Sequence, residues 1–318
     1  MWYQKLIFLW MFFLFATNAR HEVVNDYIID KNYIKPQELV IFQYDNRYNE
    51  VENGYWSTAA RWNQRYAMKY NHIFIPLTMK GNCTNNNFLL SPVWCKVKAM
   101  VEIHKIVPYA KAYLYLDSDA IIIANYSISS IIGYIQQNLN WDFNKQPLAV
   151  NQDGPGWPCK HTLNHAYTYC LNSGTIFWIK NQLSYNILSH WWKSSSFSLD
   201  SNKFQRNWRL KWPWEQAQLY YIYEKYKDNI MRLSFPDLPH MPWNSTRNPR
   251  AQYPTDTIEP WCWSHMPGAN CFIQHHCQSN NQKLKIYEIY DERYRNDKDI
   301  KIHPIEINKC PSIQVYNA

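Results

Sequence analysis

Short apolar runs separated by amphipathic stretches recur through the middle of this chain. Glu38–Tyr44 is apolar and ends in Asp45-Asn46, a strand followed by a turn. Residues 55–70 place Trp56, Ala59, Ala60, Asn63, Tyr66, Ala67 and Tyr70 near a 3.6-residue spacing, which predicts a helix. His72–Pro76 reads as a second strand, and residues 80–92 as a polar loop. Trp94–Val107 is a helix stopped by Pro108. Tyr113–Ile123 is an apolar run interrupted by Asp117-Ser118-Asp119.

The pattern continues with a helix over Ile128–Gln137 and a strand over Pro147–Asn151. Cys170–Ile179 is a strand with a polar entry, Asn172-Ser173-Gly174. Helices follow over Leu183–Trp192 and Trp214–Tyr226. The second starts after Pro213 with Glu215 in its first turn, where an acid favours the helix dipole. Ile230–Phe235 is a further strand, and residues 194–211 and 236–262, the latter with six prolines, read as long loops. Strands alternating with helices predict the α/β class, with a central, mostly parallel sheet flanked by helices. In such sheets ligands bind at the strands' carboxyl ends. Asp45, Asp117, Asp119 and Asn151 all fall there.

Two acids inside an apolar run need an explanation, because a buried charge is costly unless it is paired or bound to metal. In an extended segment side chains alternate, so Asp117 and Asp119 would face the same way. Two carboxylates converging on one point suit Mg²⁺ or Mn²⁺. An Asp-rich turn closing a strand explains the same residues without metal. His265, in Trp263-Ser-His-Met-Pro-Gly268, is the candidate third metal ligand, with Gly268 allowing close backbone approach; a hydrogen-bonded loop histidine is its plain alternative. Asn172, Gly174, Glu215 and Gln216 could read sugar hydroxyls, or simply form a strand entry and a helix start. Lys96 could meet a phosphate or remain a surface lysine.

Composition narrows the classes. The chain has 318 residues, 46% hydrophobic and 17% aromatic, enough to bury a core. Net charge is +8, but its Lys and Arg are scattered, so no nucleic-acid surface is indicated. Lys5, the apolar run Leu6–Phe15 and Ala16-Thr-Asn-Ala19 follow the plan of a secretory signal. It is either cleaved or kept as a short membrane anchor. Eight cysteines allow up to four disulfides, with pairing left open, and sequons begin at Asn82, Asn125 and Asn244. Cys271-x₃-His-His-Cys277 fits zinc, or a disulfide in an oxidising compartment. These features predict a luminal or extracellular chain. The segments read as a signal or anchor (1–19), a stem (20–37), a main domain (38–277) and a C-terminal extension packed on it (278–318). No Gly-x-Ser-x-Gly, phosphate-cradling Gly-x₄-Gly-Lys-Ser/Thr, Gly-x-Gly-x-x-Gly or His-Glu-x-x-His motif is present.

Trp94-Cys-Lys96, Leu114-Tyr-Leu-Asp-Ser-Asp-Ala120, Leu171-Asn-Ser-Gly174, Trp214-Glu-Gln216 and His265-Met-Pro-Gly268 occur in one order. Together, over roughly residues 38–270, they resemble the GT-A-fold galactosyl/mannosyltransferase family. That family includes fungal α-galactosyl- and α-mannosyltransferases and plant xyloglucan xylosyltransferases. The resemblance implies a GT-A (Rossmann-like) fold and a retaining transferase of the ER or Golgi lumen. It would use Mn²⁺ (or Mg²⁺) to move a sugar from a UDP- or GDP-sugar to a glycan or glycoprotein acceptor. It further implies that Asp117, Asp119 and His265 hold the metal and that Lys96 lies near the phosphates or acids. Asn172, Gly174, Glu215 and Gln216 would line the sugar and acceptor site, with Glu215 and Gln216 as the catalytic pair. Asp45, Ser118 and Gly268 complete the expected donor contacts. Two motifs depart from the family: Trp214-Glu-Gln stands where Asp-Asp-Gln is frequent, and His-Met-Pro-Gly where His-Phe-x-Gly is usual. A sugar-binding protein without turnover, and a disulfide-braced protein whose acids bind Ca²⁺, are the competing readings.

Overall fold

A computed structural model describes residues 34–49, 54–123, 127–129, 132–133, 136, 141–153, 170–196, 210, 214–233, 273–275, 302 and 304–307. Its strands are β1 (Leu39–Tyr44), β2 (Ile73–Thr78), β3 (Thr84–Asn85), β4 (Phe88–Leu89), β5 (Ala112–Asp117), β6 (Ala120–Ile122), β7 (Leu148–Asp153), β8 (Cys170–Ile179), β9 (Ile230–Leu233), β10 (Ile273–His275) and β11 (Ile305–Glu306). Its α-helices are α1 (Tyr55–Lys69), α2 (Cys95–Ile106), α3 (Gln182–Ser194) and α4 (Trp214–Tyr226).

The main sheet has the order β11-β2-β1-β5-β8-β7-β9. All neighbours run parallel except at β8, which is antiparallel to both β5 and β7. Period-two alternation divides the core between two faces. Val40, Phe42, Tyr44, Tyr113 and Tyr115 pack with Val97, Met100 and Val101 of α2 and Leu188 and Trp191 of α3. Leu39, Ile41, Ala112, Leu114 and Leu116 pack on the other face with Tyr66 and Ala67 of α1 and with Ile128 and Ile132. The result is a mixed α/β sandwich. Its central strands read as near-continuous apolar runs because both faces are covered.

Two expectations are corrected. Asp117 and Asp119 do not share one extended segment. β5 ends at Asp117, at the strand's carboxyl end as expected, the chain turns over Ser118-Asp119, and β6 pairs antiparallel with β10 outside the main sheet. Strand alternation therefore does not set the relative directions of Asp117 and Asp119. Carboxylates cannot continue into the core, and a Ser-Asp turn solvates them. The polar segment 80–92 is not simply a loop. It holds the β3–β4 hairpin, whose turn residues Asn86 and Asn87 have φ of 48° and 66°. Asparagine tolerates that left-handed region. Cys83 pairs with Cys95 and ties this segment to the start of α2.

At the C-terminal end, β11 pairs parallel with β2, and Lys80 meets Glu306 at 3.0 Å. No described helix is long and apolar enough to cross a membrane, and residues 1–33 lie outside the described ones.

His104 of α2 stacks on Tyr113 with ring centroids 4.8 Å apart, and its Nε2 accepts the Trp178 indole N–H at 2.7 Å. Burial, helped by the charge of Lys180, pushes its pKa down from 6.5 to about 4. The unfolded chain therefore binds this proton more readily than the folded one. The resulting stability is complete above pH 6.5 and is lost as pH falls towards about 4. Its full size is at most about 3 kcal/mol. Urea midpoints should fall between neutral pH and about pH 4.5. His104→Gln, which keeps an acceptor without titrating, should flatten that fall. An equal fall in the variant would show that His104 does not drive it.

Candidate active site at the carboxyl ends of the sheet

The site starts from a buried lysine. Lys96 opens α2 one residue after the Cys83–Cys95 disulfide, and its side chain is 7% exposed. Its Nζ donates to Asp117 Oδ1 at 3.0 Å and Oδ2 at 3.2 Å, and to Ser173 Oγ at 3.1 Å. It lies 2.7 Å from Glu215 Oε1. Burial alone would push this amine down. The charges of Asp117 and Glu215 outweigh it and hold the amine above the ordinary lysine range.

Four separate segments thus meet at one ammonium. Tyr115 O–H donates to Asp117 Oδ1 at 2.7 Å. Burial pushes that phenol up, and the Asp117 charge adds to it. Ser173 donates its hydroxyl to Glu215 Oε1 at 2.9 Å and lies 3.4 Å from Gln216 Oε1. Asn172 is buried, and its Oδ1 accepts from the Gly174 N–H at 2.7 Å, which shapes the strand entry. Glu215 Oε2 is buried with no hydrogen-bond partner among the described residues. A buried carboxylate oxygen without a donor costs about 1–3 kcal/mol or more, and is the kind of group a polar ligand satisfies.

The acidic turn is held from behind. Gln43 Nε2 donates to the carbonyls of Asp117 at 2.8 Å and Ala120 at 3.1 Å. Asn63 of α1 donates to the Ala120 carbonyl and accepts from the Ile122 N–H, both at 2.8 Å. Ser118 and Asp119 form the turn itself and are partly exposed, as is Asp117. β10 runs beside β6 with His275 in register with Ala120.

Lys96, Asp117, Glu215 and Gln216 therefore gather at one place, and Asn172 and Gly174 flank Ser173 there. Asp45 directly follows the adjoining β1, whose Tyr44 is in register with Asp117. Both Asp45 oxygens are taken by Arg47, at 2.8 Å from Nε and 2.5 Å from NH2. Any effect of Asp45 on a ligand passes through Arg47. His265 and Gly268 lie outside the described residues. Sequence reasoning did not single out Gln43, Asn63, Tyr115 or Ser173. Ser173 lay inside the quoted Asn-Ser-Gly motif, and Gln43, polar inside an apolar strand, was the visible signal.

Among the described residues no three His, Cys, Asp or Glu side chains gather to hold a metal. Asp117 and Asp119 supply two hard oxygen donors, a set that fits Mn²⁺ or Mg²⁺ and needs ligands from elsewhere.

No family model matches the chain, and no curated protein matches it. Solved structures do. A glycosyltransferase involved in glycosylation of the major capsid of PBCV-1 shares 14% identity with it, at a TM-score of 0.51, over 79% of this chain and 98% of that one. The chain has a GT-A glycosyltransferase fold. The galactosyltransferase LgtC, solved with donor and acceptor sugar analogues, overlays at a TM-score of 0.45 with 13% identity, over 83% of this chain and 97% of that one. The fold is built on a parallel core with one antiparallel strand, β8.

Lys96→Met should leave the buried Glu215 and the part-buried Asp117 beside an apolar chain and cost about 3–5 kcal/mol. Adding Glu215→Gln to it should recover part of that loss. Denaturant unfolding of the single and double variants measures this coupling, and strictly additive effects would contradict it.

Proposed function

We propose that this chain is a glycosyltransferase. It moves a hexose or pentose from a nucleotide-diphosphate sugar to a glycan or glycoprotein acceptor, with retention of configuration and with Mn²⁺ or Mg²⁺. The observation that carries this reading is the buried Lys96 cluster with the orphaned Glu215 Oε2, set beside the acidic turn at the carboxyl ends of the sheet. The GT-A fold supports it. The cluster has the charge pattern for a polyol joined to an anion: buried polar acceptors on the β8 and α4 side, and carboxylates for a diphosphate-bound cation at the end of β5.

Asp117 and Asp119 would hold the metal, with His265 as the proposed third ligand. The bound ion supplies neutralisation of the charge that develops on the leaving diphosphate. Lys96 pins Asp117 and Glu215 in fixed positions, so little reorganisation is needed when substrate arrives. Glu215 Oε2 accepts a hydrogen bond from a sugar hydroxyl, and Asn172 offers its amide nitrogen on the same side. Glu215 Oε1 is engaged by Lys96 and Ser173, which disfavours attack on the sugar, and the Gln216 amide is too weakly basic for it. Transfer therefore proceeds on the front face. The bond from the anomeric carbon to the diphosphate oxygen breaks, and the acceptor oxygen bonds to the same face. The acceptor's proton passes to the departing phosphate oxygen. The Gln216 carbonyl dipole faces the positive charge that forms between these steps.

The Cys83–Cys95 disulfide supports an oxidising compartment, and we place the chain in the ER or Golgi lumen, soluble or anchored through its N-terminal apolar segment.

A panel of nucleotide sugars with and without Mn²⁺ tests this reading. It predicts metal-dependent nucleotide release, at least about 100-fold lower in Asp119→Asn. Donor binding without turnover would replace it with a sugar-binding role, and absence of nucleotide binding would remove it.

A further inference from the structure

Arg47 is built like a ligand-reading residue and stands apart from the Lys96 cluster. It follows β1 in a short 3₁₀ turn over Asn46–Asn49. Its Nε and NH2 hold both oxygens of Asp45, and NH2 also donates to Tyr55 O–H at 2.9 Å. Its guanidinium lies 4.3 Å from the Trp56 ring centroid and 5.0 Å from that of Tyr55. The indole is itself fixed: a Cβ at Gly54 would overlap it, so only glycine fits there. Asp45 is 4% exposed and Arg47 30% exposed. Burial works against the Arg47 charge, and Asp45 more than restores it.

Anchored this way, the guanidinium has spent its Nε and NH2. NH1 has no hydrogen-bond partner among the described residues, so its two N–H groups remain to donate. Trp56 Nε1 and Tyr48 O–H are also buried donors without partners among the described residues. Tyr48 is close enough to feel the charges of Asp45 and Arg47. The NH1 edge of Arg47, beside Tyr48 and Trp56, suits a ligand that offers a carbonyl acceptor. A phosphate is disfavoured, because Asp45 already neutralises the guanidinium.

The sheet order says which part of the ligand this is. The order β2-β1-β5-β8 puts the acidic turn of β5 in the middle. The sugar-reading groups, Asn172 and Glu215, lie on the β8 and α4 side. Arg47 follows β1 on the opposite side of β5, with Trp56 of α1 against its guanidinium. A diphosphate centred at β5 sends its sugar one way and its nucleoside the other.

We propose that Arg47 determines nucleotide specificity, donating through NH1 to the O4 of uracil or the O6 of guanine, with Asp45 as its positioning residue. This rests on the glycosyltransferase reading. The site discriminates against adenine, which presents an amino group where these bases carry a carbonyl, and against cytosine for the same reason at position 4. A guanidinium donor left unmet when the ligand binds is penalised, as when a hydrogen-bonding site meets an analogue lacking the group.

The test is calorimetric binding of UDP, GDP, ADP and CDP, with Mn²⁺, to the full chain. The wild type should bind UDP or GDP at least tenfold more tightly than ADP and CDP. Arg47→Lys and Asp45→Asn should both erase most of that margin while leaving ADP affinity within about threefold. The wild type alone supplies a second measurement, which stands even if a variant fails to fold. Whichever of UDP and GDP it prefers should lose at least tenfold in affinity when its base carbonyl is deleted, as 4-deoxyuridine or 2-aminopurine riboside diphosphate. If the wild type discriminates but keeps its affinity for the carbonyl-deleted analogue, the Arg47 assignment falls and the glycosyltransferase reading survives. If none of the four nucleotides binds, both fall.

Discussion

A single buried ammonium organises this protein's polar interior. Lys96 sits where α2 begins, and without partners its charge would be expelled or neutralised. Asp117 and Glu215 make it tolerable, and it makes them tolerable in turn. Each member of the trio is costly alone, so the arrangement couples segments that are far apart in sequence. α2, the end of β5, the start of α4 and the entry of β8 are brought to one point. The Cys83–Cys95 disulfide fixes the chain one residue before Lys96 and limits how far that point can drift.

A second layer holds the chemistry in place without touching it. Gln43 and Asn63 take the inward carbonyls of the acidic turn, so its backbone is set by the buried faces of β1 and α1. The carboxylates are then presented from a rigid base, as a metal or diphosphate site needs. Arg47, braced by Asp45 and stacked on Trp56, applies the same design one strand away. In both places a buried polar group is satisfied on one side and left with capacity on the other.

Much of the fold was legible in the sequence because its parallel strands are buried on both faces. Leu39–Tyr44 reads as apolar throughout, and the helices over 55–69 and 214–226 carry clear start signals or spacing. The antiparallel direction of β8 was not legible, since nothing in Cys170–Ile179 encodes which way a strand enters a sheet. The β3–β4 hairpin was missed because two-residue strands of polar character resemble a loop, and only Asn86-Asn87 marked it. The strand end at the acids was legible, but the apolar residues that resume at once gave no sign that they belong to a second sheet. For the site, residue types that stand out against their surroundings were found: Lys96, Asp117 and Glu215. Gln43, Asn63 and Ser173 act through hydrogen bonds across 42 to 77 positions, a relation only the folded chain displays. His265 was singled out with the acids, but it lies outside the described residues.

The account stands or falls on what occupies the space beside the Lys96 cluster. The most direct measurement is a crystal structure of the chain with Mn²⁺ and a nucleoside diphosphate, with anomalous scattering collected at the manganese edge. The account predicts one manganese peak within coordination distance of the Asp117 and Asp119 carboxylates, with the diphosphate on it and Lys96 still bridging Asp117 and Glu215. Manganese bound away from that turn, or a cluster sealed by protein so that no diphosphate enters, would contradict it.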